Sequence, residues 1–287
     1  MLSGALAFAM MGTLAHALGT RCDWQIVAVT RTGLALTFAV LLALAAGVPL
    51  VFLRPRTLWM RSIAGSISLL CTFYALPRLP VADVLTLTNV FPVWVALLSW
   101  PLLREPPTRR AWIAIAIGIA GVVLVQQPHF SDEQPGAAMP AIAALVSSFT
   151  TAIAMLGLHR LQGIDPRAIV AHFSGVALLI CGASLLVIPN HALESSHFDN
   201  LSLAMLLGVG VCATIGQLFL TKAFAAGPPA KVSVVALTQV GFAVLFDVLV
   251  WKHSFSRITV AGMVLVMAPT AWLLVGQGQP AGGDLDL

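Results

Sequence analysis

Few side chains in this sequence can do chemistry, and most of them stand inside apolar runs. In LTNVFPVWVALLSWPLLRE, Leu87 to Glu105, the amide of Asn89 lies three residues before Pro92 and five before Trp94. Proline lacks a backbone N–H and collides with the carbonyl four residues back, so a helix here must kink near Thr88-Asn89. The Asn89 amide then either faces a solute or caps the freed carbonyl, and the sequence allows both. In LTQVGFAVLF, Leu237 to Phe246, Gln239 and Phe242 are i,i+3 neighbours, which puts an amide and an aromatic ring on one helix face. Gln217 lies deep in its own run, with Phe219 and Phe224 nearby. Lys222 stands closer to an end, where its stem can snorkel. Amides beside aromatic rings suit solute recognition by hydrogen bonding and packing. They do not suit bond breaking.

The ionisable candidates are few. Asp247, about five residues before Lys252, either carries a coupling proton or pairs at an interface. Arg31, about a turn and a half into its run, either binds an anionic group or pairs with a carbonyl or with Asp23. Glu105 follows a run end among Arg104, Arg109 and Arg110, where an ion pair or a gate is expected and solute contact is not. His16 and His172 are lone histidines on apolar runs, expected to be structural. Tyr74, the chain's only tyrosine, reads with Phe73 as an interfacial aromatic.

Catalysis has little to work with. HExxH, a GxSxG elbow, a phosphate-binding GKS or GKT loop and a clustered His/Asp/Glu metal set are all missing from the sequence. No cofactor and no metal are expected, and an enzyme is not. The four cysteines have no CxxC spacing and read as buried structural thiols. Met1-Leu2 opens straight into an apolar run with no basic stretch before it, so a cleaved signal peptide is not expected, although native residues upstream fit the abrupt start.

Composition sets the environment for these residues. Hydrophobic residues make up 59% of the 287, charged ones 9%, and the mean hydropathy is +0.96. A soluble domain carries about a quarter charged residues, so this chain belongs in a bilayer. The formal charge of +4 is spread singly or in pairs between apolar runs, which argues for membrane orientation and against a nucleic-acid partner.

A span needs about 20 apolar residues. Ten segments qualify: roughly 2–20, 26–46, 59–76, 81–103, 111–126, 138–158, 168–188, 201–226, 232–251 and 258–275. Strand-like alternation is absent, which leaves helices to satisfy the backbone in lipid. The longest connections, 127–137 and 189–200, are polar and too short for a soluble domain. The tail GQGQPAGGDLDL reads as a disordered end. With the N-terminus in the cytoplasm, inner loops carry ten Lys or Arg (Arg61 counted among them) and outer loops four, which favours both termini inside.

The halves repeat weakly. A shift of 148 residues lays Arg109 on Arg257, Ala114 on Gly262, Trp94 on Phe242 and Phe91 on Gln239. Five spans per half is odd, so equivalent spans face opposite sides, the inverted-repeat arrangement of many carriers. The expected halves are 1–127 and 138–276, followed by the tail 277–287.

FYALPRLPVADVLTLTNVFPVWVALLSWPLLREPPTRRAWIAIAIGIAGVVLV, Phe73 to Val125, resembles the third-to-fifth-helix signature of the EamA-type transporters, of the drug/metabolite transporter superfamily. The matching features fall at Pro92, Glu105, Gly118 and Gly121, and Arg31 in VAVTRTGLAL matches an arginine the family often has in its second helix. The second half is similar but has Val240 in place of the proline, and His253 where many members repeat the glutamate. The resemblance implies an all-α integral membrane fold of ten helices around a central cavity, and alternating-access movement of a small metabolite across the plasma membrane, often outward. On the residues, that cavity is expected between the third, fourth, eighth and ninth spans, with Asn89, Trp94, Gln217, Gln239 and Phe242 on the solute. Pro92, Arg31, Glu105 and Asp247 are placed in gating or coupling. An amino acid-like solute, lipid as the other partner, possible proton coupling and a monomer or homodimer complete the expectation. The alternative is a channel-like or structural multi-pass protein.

Overall fold

The computed structural model describes residues 1–19, 21–76, 78–79, 81–127, 138–187, 198–251 and 256–275, apart from the side chains of Val81, Ala82, Asp247, Trp251, Leu274 and Val275. The polar connections, most of which fall at 128–137 and 188–197, and the tail at 276–287 lie outside the described residues. Among the described residues the chain forms helices and no strand. In order they are α1 (Leu2–Leu18), α2 (Trp24–Ala45), α3 (Arg56–Ala75), α4 (Val81–Thr88), α5 (Phe91–Leu103), α6 (Arg109–Gln126), α7 (Ala138–His159), α8 (Pro166–Val187), α9 (Asn200–Ala226), α10 (Pro229–Ala236), α11 (Thr238–Trp251) and α12 (Arg257–Val275). Among the described residues, seven segments are long and apolar enough to cross a membrane, and Leu2–Leu18 and Arg257–Leu273 are shorter apolar helices.

The helix starts carry local signals. Asp23 accepts from the Gln25 N–H at 2.8 Å, Thr108 from Ala111 at 3.2 Å and Asp199 from Ser202 at 3.0 Å. Each such cap satisfies an orphan donor and contributes about 1 kcal/mol. At the end of α5, Arg104 takes a left-handed conformation with φ of 60°. Its N–H reaches the Trp100 carbonyl while that of Glu105 reaches Ser99. The chain leaves the helix there with its last carbonyls partnered.

Two of the ten expected segments are not single helices. The fourth divides into α4 and α5 at Asn89-Val90, and the ninth into α10 and α11 at Leu237. The break in the ninth is a correction to the expectation of one continuous helix, since nothing there resembles Pro92. The 148-residue shift carries 81–88 onto 229–236, the bounds of α10, and 109–126 onto 257–274, which lies within α12.

Packing follows the same exchange of halves. The pair α3–α7 has α9–α1 as its counterpart, α5–α7 has α11–α1, and α3–α8 has α9–α2. The pairs α2–α8 and α6–α12 are their own counterparts. In the last of these the backbones nearly touch. A Cβ on Gly121 would lie 2.8 Å from the Val266 nitrogen, and one on Gly262 2.8 Å from the Val125 nitrogen. Small residues let membrane helices gain dispersion contacts at this range. The main apolar cluster joins Phe8, Leu58, Val95, Leu156, Leu158, Leu220 and Phe224 at one end of the bundle. A second, with Leu18, Cys22, Val27, Leu206 and Val209, lies at the other.

Gly121→Val or Gly262→Val should therefore lower the melting temperature in detergent, at a cost of about 1–3 kcal/mol from overpacking. Gly182→Ala, where an added Cβ meets nothing within 4 Å, should be neutral or slightly stabilising. Equal melting temperatures for all three would contradict the close α6–α12 crossing.

Candidate solute site

The first break is built from side chains that serve their own backbone. The Leu85 carbonyl accepts from the Asn89 N–H at 3.0 Å, the Asn89 amide at 2.7 Å and the Thr88 hydroxyl at 3.2 Å. In this geometry the half-buried Asn89 amide donates to its own helix. Pro92 sits in the first turn of α5, where the N–H it lacks would be an orphan in any case. The kink expected within one helix is thus the start of a second helix. Trp94 turns toward α7, its indole N–H donating to Ser148 Oγ at 3.1 Å and its ring edge-on to Phe149 at 5.4 Å.

The second break needs no proline. The Leu237 N–H reaches back only three residues to Val234, and the Thr238 hydroxyl takes the Val235 carbonyl at 2.7 Å. Leu237 is fully buried, and its side chain occupies the space a Cβ on Gly118 would need. Phe91 joins the same apolar cluster, so the two breaks share packing around α6. Gln239 and Phe242 are half-buried on α11. Among the described residues Gln239 makes no side-chain hydrogen bond, which leaves its amide open.

Gln217 identifies a residue that sequence reasoning misplaced. Its Oε1 accepts from Arg61 Nη2 at 3.0 Å. Counted with the inner-loop charges on sequence, Arg61 lies inside α3 and is 1% exposed. Its guanidinium carbon sits 4.0 Å from the centre of the Phe173 ring. Gly65 and Gly157 make room for it: a Cβ on Gly65 would lie 2.5 Å from Nη1, and one on Gly157 3.1 Å from the Arg61 Cβ. Arg61 Nε has no hydrogen-bond partner, and none of the salt bridges among the described residues involves Arg61. The balance is unfavourable: removing an ion from water costs several kcal/mol, against about 2 for a desolvated cation–π contact and about 1.5–3 for one charged hydrogen bond. At the next residue of α3, Ser62 Oγ meets His172 Nδ1 at 2.8 Å. The other ring nitrogen of His172 faces the Phe52 carbonyl at 3.1 Å, so both are occupied.

Arg31 is half-buried beside Cys181 of α8, and no carboxylate pairs with it among the described residues. A seam of hydroxyls joins α3 to α7: Ser147 meets Thr72 at 2.7 Å and Ser68 at 3.0 Å, and Ser68 meets Thr151 at 2.5 Å. Lys222 is exposed, consistent with snorkelling. Neither Asp247's side chain nor Lys252 is among the described residues.

Polar ties close both ends of the bundle. At one, His159 bridges Glu105 at 3.4 Å and the Phe224 carbonyl at 2.9 Å, and Arg160 donates to the Leu102 carbonyl. At the other, Arg21 pairs with Asp199 at 2.9 Å. Ser202, whose N–H donates to Asp199 Oδ1, and then the Arg21 guanidinium hold the Asp199 carboxyl below its usual range. This tie therefore persists until the pH falls through that lowered value. A groove of about 370 Å³ between α2 and α9, lined by Phe38, Leu41, Leu42, Val211 and Ile215, is apolar and outward-facing, so it suits lipid rather than a polar solute. Among the described residues no group of three His, Cys, Asp or Glu is placed to hold a metal.

A family model described as the EamA-like transporter family matches residues 1–126 and 138–275. The pseudopaline exporter of Pseudomonas aeruginosa is 26% identical over 92% of this chain and 90% of its own. A probable transport protein of Saccharomyces cerevisiae is 25% identical over 76% of this chain and 67% of its own. Human solute carrier family 35 member G1 is 23% identical over 73% and 59%. A solved crystal structure superposes with a TM-score of 0.81 over 97% of this chain and 96% of that one, at 17% identity, a likeness of fold. With the apolar helices, these relatives identify a multi-pass membrane protein of a transporter family.

The hydroxyl seam predicts that Ser147→Ala destabilises by about 1 kcal/mol, since it removes contacts to both Ser68 and Thr72. Thr150→Ala, which loses only bonds to its own helix, should leave the melting temperature nearly unchanged. Equal effects from the two variants would contradict the seam.

Proposed function

The chain belongs to the EamA-like transporter family, and on that premise we propose that it is a secondary carrier moving a small, amino acid-like metabolite by alternating access. One observation carries the reading: α4–α5 and α10–α11 break at positions related by the 148-residue shift, around a shared set of residues on α6. Broken helices offer flexible joints, and in a membrane they are tolerated where they border protein or a cavity. The two halves are read as inverted five-span repeats, with α4–α5 and α10–α11 each counting as one span of ten. The exchange of helix pairs between halves supports this.

In this reading the solute lies between the third, fourth, eighth and ninth spans. Gln239 and Phe242 contact it from α11, Gln217 from α9, and Asn89 and Trp94 from the first break. The exposed ties at the two ends act as gates: Glu105 with His159 and Arg160 on the cytoplasmic side, Arg21 with Asp199 on the other. Weak exposed pairs suit that role because each is worth about 0–1 kcal/mol and opens easily. With Arg61 moved into the bundle, the basic loop residues number nine inside against four outside. That count still supports cytoplasmic termini in the plasma membrane. Outward transport is supported by the exporter named among the relatives.

The test is flux in proteoliposomes across labelled metabolites, with and without a pH gradient. Saturable exchange of at least one solute is expected; ion conductance with no solute flux would replace the carrier by a channel. Gln239→Ala should raise the half-saturation concentration roughly 5–10-fold, the loss of about one hydrogen bond. Asn89→Ala should raise it less, because the Asn89 donor is committed to Leu85. Where a pH gradient drives flux, Asp247→Asn should remove that drive and spare exchange; a retained response would take Asp247 out of coupling.

A further inference from the structure

Arg61 is a full positive charge placed 1% exposed among α3, α7, α8 and α9. The groups around it recognise a guanidinium without neutralising it. Gln217 supplies one neutral acceptor to Nη2, Phe173 supplies a ring face, and Nε has no acceptor. Gly65 and Gly157 leave room for the side chain where it lies, since an added Cβ would come within 2.5 Å of Nη1 at the first and 3.1 Å of the Arg61 Cβ at the second. A charge kept only for packing would be stabilised by a carboxylate of its own, yet no Asp or Glu pairs with it among the described residues. The missing group is an anion that arrives and leaves.

We infer that Arg61, with Gln217 and Phe173, is the seat for a carboxylate carried by the transported solute. The planar guanidinium presents parallel N–H donors that match the two oxygens of a carboxylate, and the match is strongest in a site shielded from water. Gln217, already on the guanidinium, is placed to donate its amide N–H to the same carboxylate after a small rotation. Arg31 lies on α2, which packs on α8 at Cys181 through Ala28 and Val29, and Cys181 is eight residues from Phe173, or about 12 Å along the helix. Arg31 offers a second cationic station on the path toward the opposite end. The assignment rests on the carrier reading and names the chemistry of its substrate.

The test uses the full chain, purified in detergent and reconstituted. Melting temperature is measured with acetate, succinate and glutamate, against acetamide, succinamide and glutamine amide at matched ionic strength, and with inorganic phosphate and sulfate. Saturable stabilisation by at least one carboxylate is expected, with half-saturation about tenfold or more below that of its amide. Arg61→Gln should abolish it, while Arg110→Gln, an exposed arginine at the start of α6, should not. Should Arg61→Gln fail to fold, Gln217→Glu serves: it gives Arg61 an internal carboxylate, so it should raise the melting temperature and remove the response to added carboxylate. No preference for carboxylates over amides overturns the inference, as does a preference that survives in Gln217→Glu, or a response to phosphate or sulfate alone. Counterflow separates it from the carrier reading. Amides moving while carboxylates do not would leave a carrier without this site, and no movement of any solute would remove the carrier itself.

Discussion

A backbone carbonyl in hydrocarbon can turn only to another part of its own chain, and the architecture around the two broken helices follows from that. At Asn89-Val90 the ladder stops because Pro92 cannot donate, and Asn89 and Thr88 turn their side chains back on Leu85. At Leu237 the ladder tightens to a three-residue reach, and Thr238 takes the Val235 carbonyl. Short polar side chains that would be helix-neutral in water thus repair the backbone where no water is at hand. The repair is local, but the shelter is not. Leu237 lies over Gly118 and clusters with Phe91 and Val122, so both breaks are enclosed by α6 and its partner α12. The close crossing at Gly121 and Gly262 keeps that enclosure narrow.

Polar interactions are graded along the bundle axis. Midway, the hydroxyls of Ser68, Thr72, Ser147 and Thr151 interlock α3 with α7 in surroundings where unpaired donors are costly. At the ends, Arg21–Asp199 and Glu105–His159 are exposed to water and easily exchanged for it. Firm pairing inside with loose pairing at the rims fits helices that move as packed pairs and part at their tips. Asp199 adds a restraint, because its Ser202 bonds favour the ionised form that Arg21 requires.

Much of the fold was legible because membrane spans advertise themselves through long apolar runs, and the described helices fall on the ten segments to within a few residues. Pro92 was legible as a disturbance, since proline carries its own geometry. The break at Leu237 was not: leucine, threonine and glutamine are not breakers, and what ends α10 is a shift in hydrogen-bond reach stabilised by packing on α6. Arg61 was hidden for a different reason. Standing five residues after Arg56 and near the start of its helix, it resembles a basic membrane edge, and its burial depends on Gly157, Phe173 and Gln217 far away in sequence. The i,i+4 pair of Arg61 and Gly65 was the one local hint, a small residue just where a long side chain lies back along the helix. Asn89 was read with two roles open, and geometry gives its donor to the backbone while leaving its part in solute contact to experiment.

The repeat also explains why symmetry alone cannot make the site. The 148-residue shift lays Arg61 on Val209, Ser62 on Gly210, Asn89 on Leu237 and Pro92 on Val240. Each of these four residues meets an apolar or small one in the second half. Val209 is fully buried in an apolar cluster near the opposite end of the bundle, so the charge at Arg61 has no mirror across the exchange of halves. In the carrier proposed above, a scaffold of matched helix pairs would rock between two similar shapes, because each contact it loses in one half has a counterpart to form in the other. A solute held by a single charge in that scaffold has one preferred orientation in both shapes. Its charged end would track α3 while its remainder meets the Gln239 and Phe242 face of α11. In that carrier, near-equal shapes would keep exchange between them inexpensive, and an unequal lining would give the solute a fixed orientation.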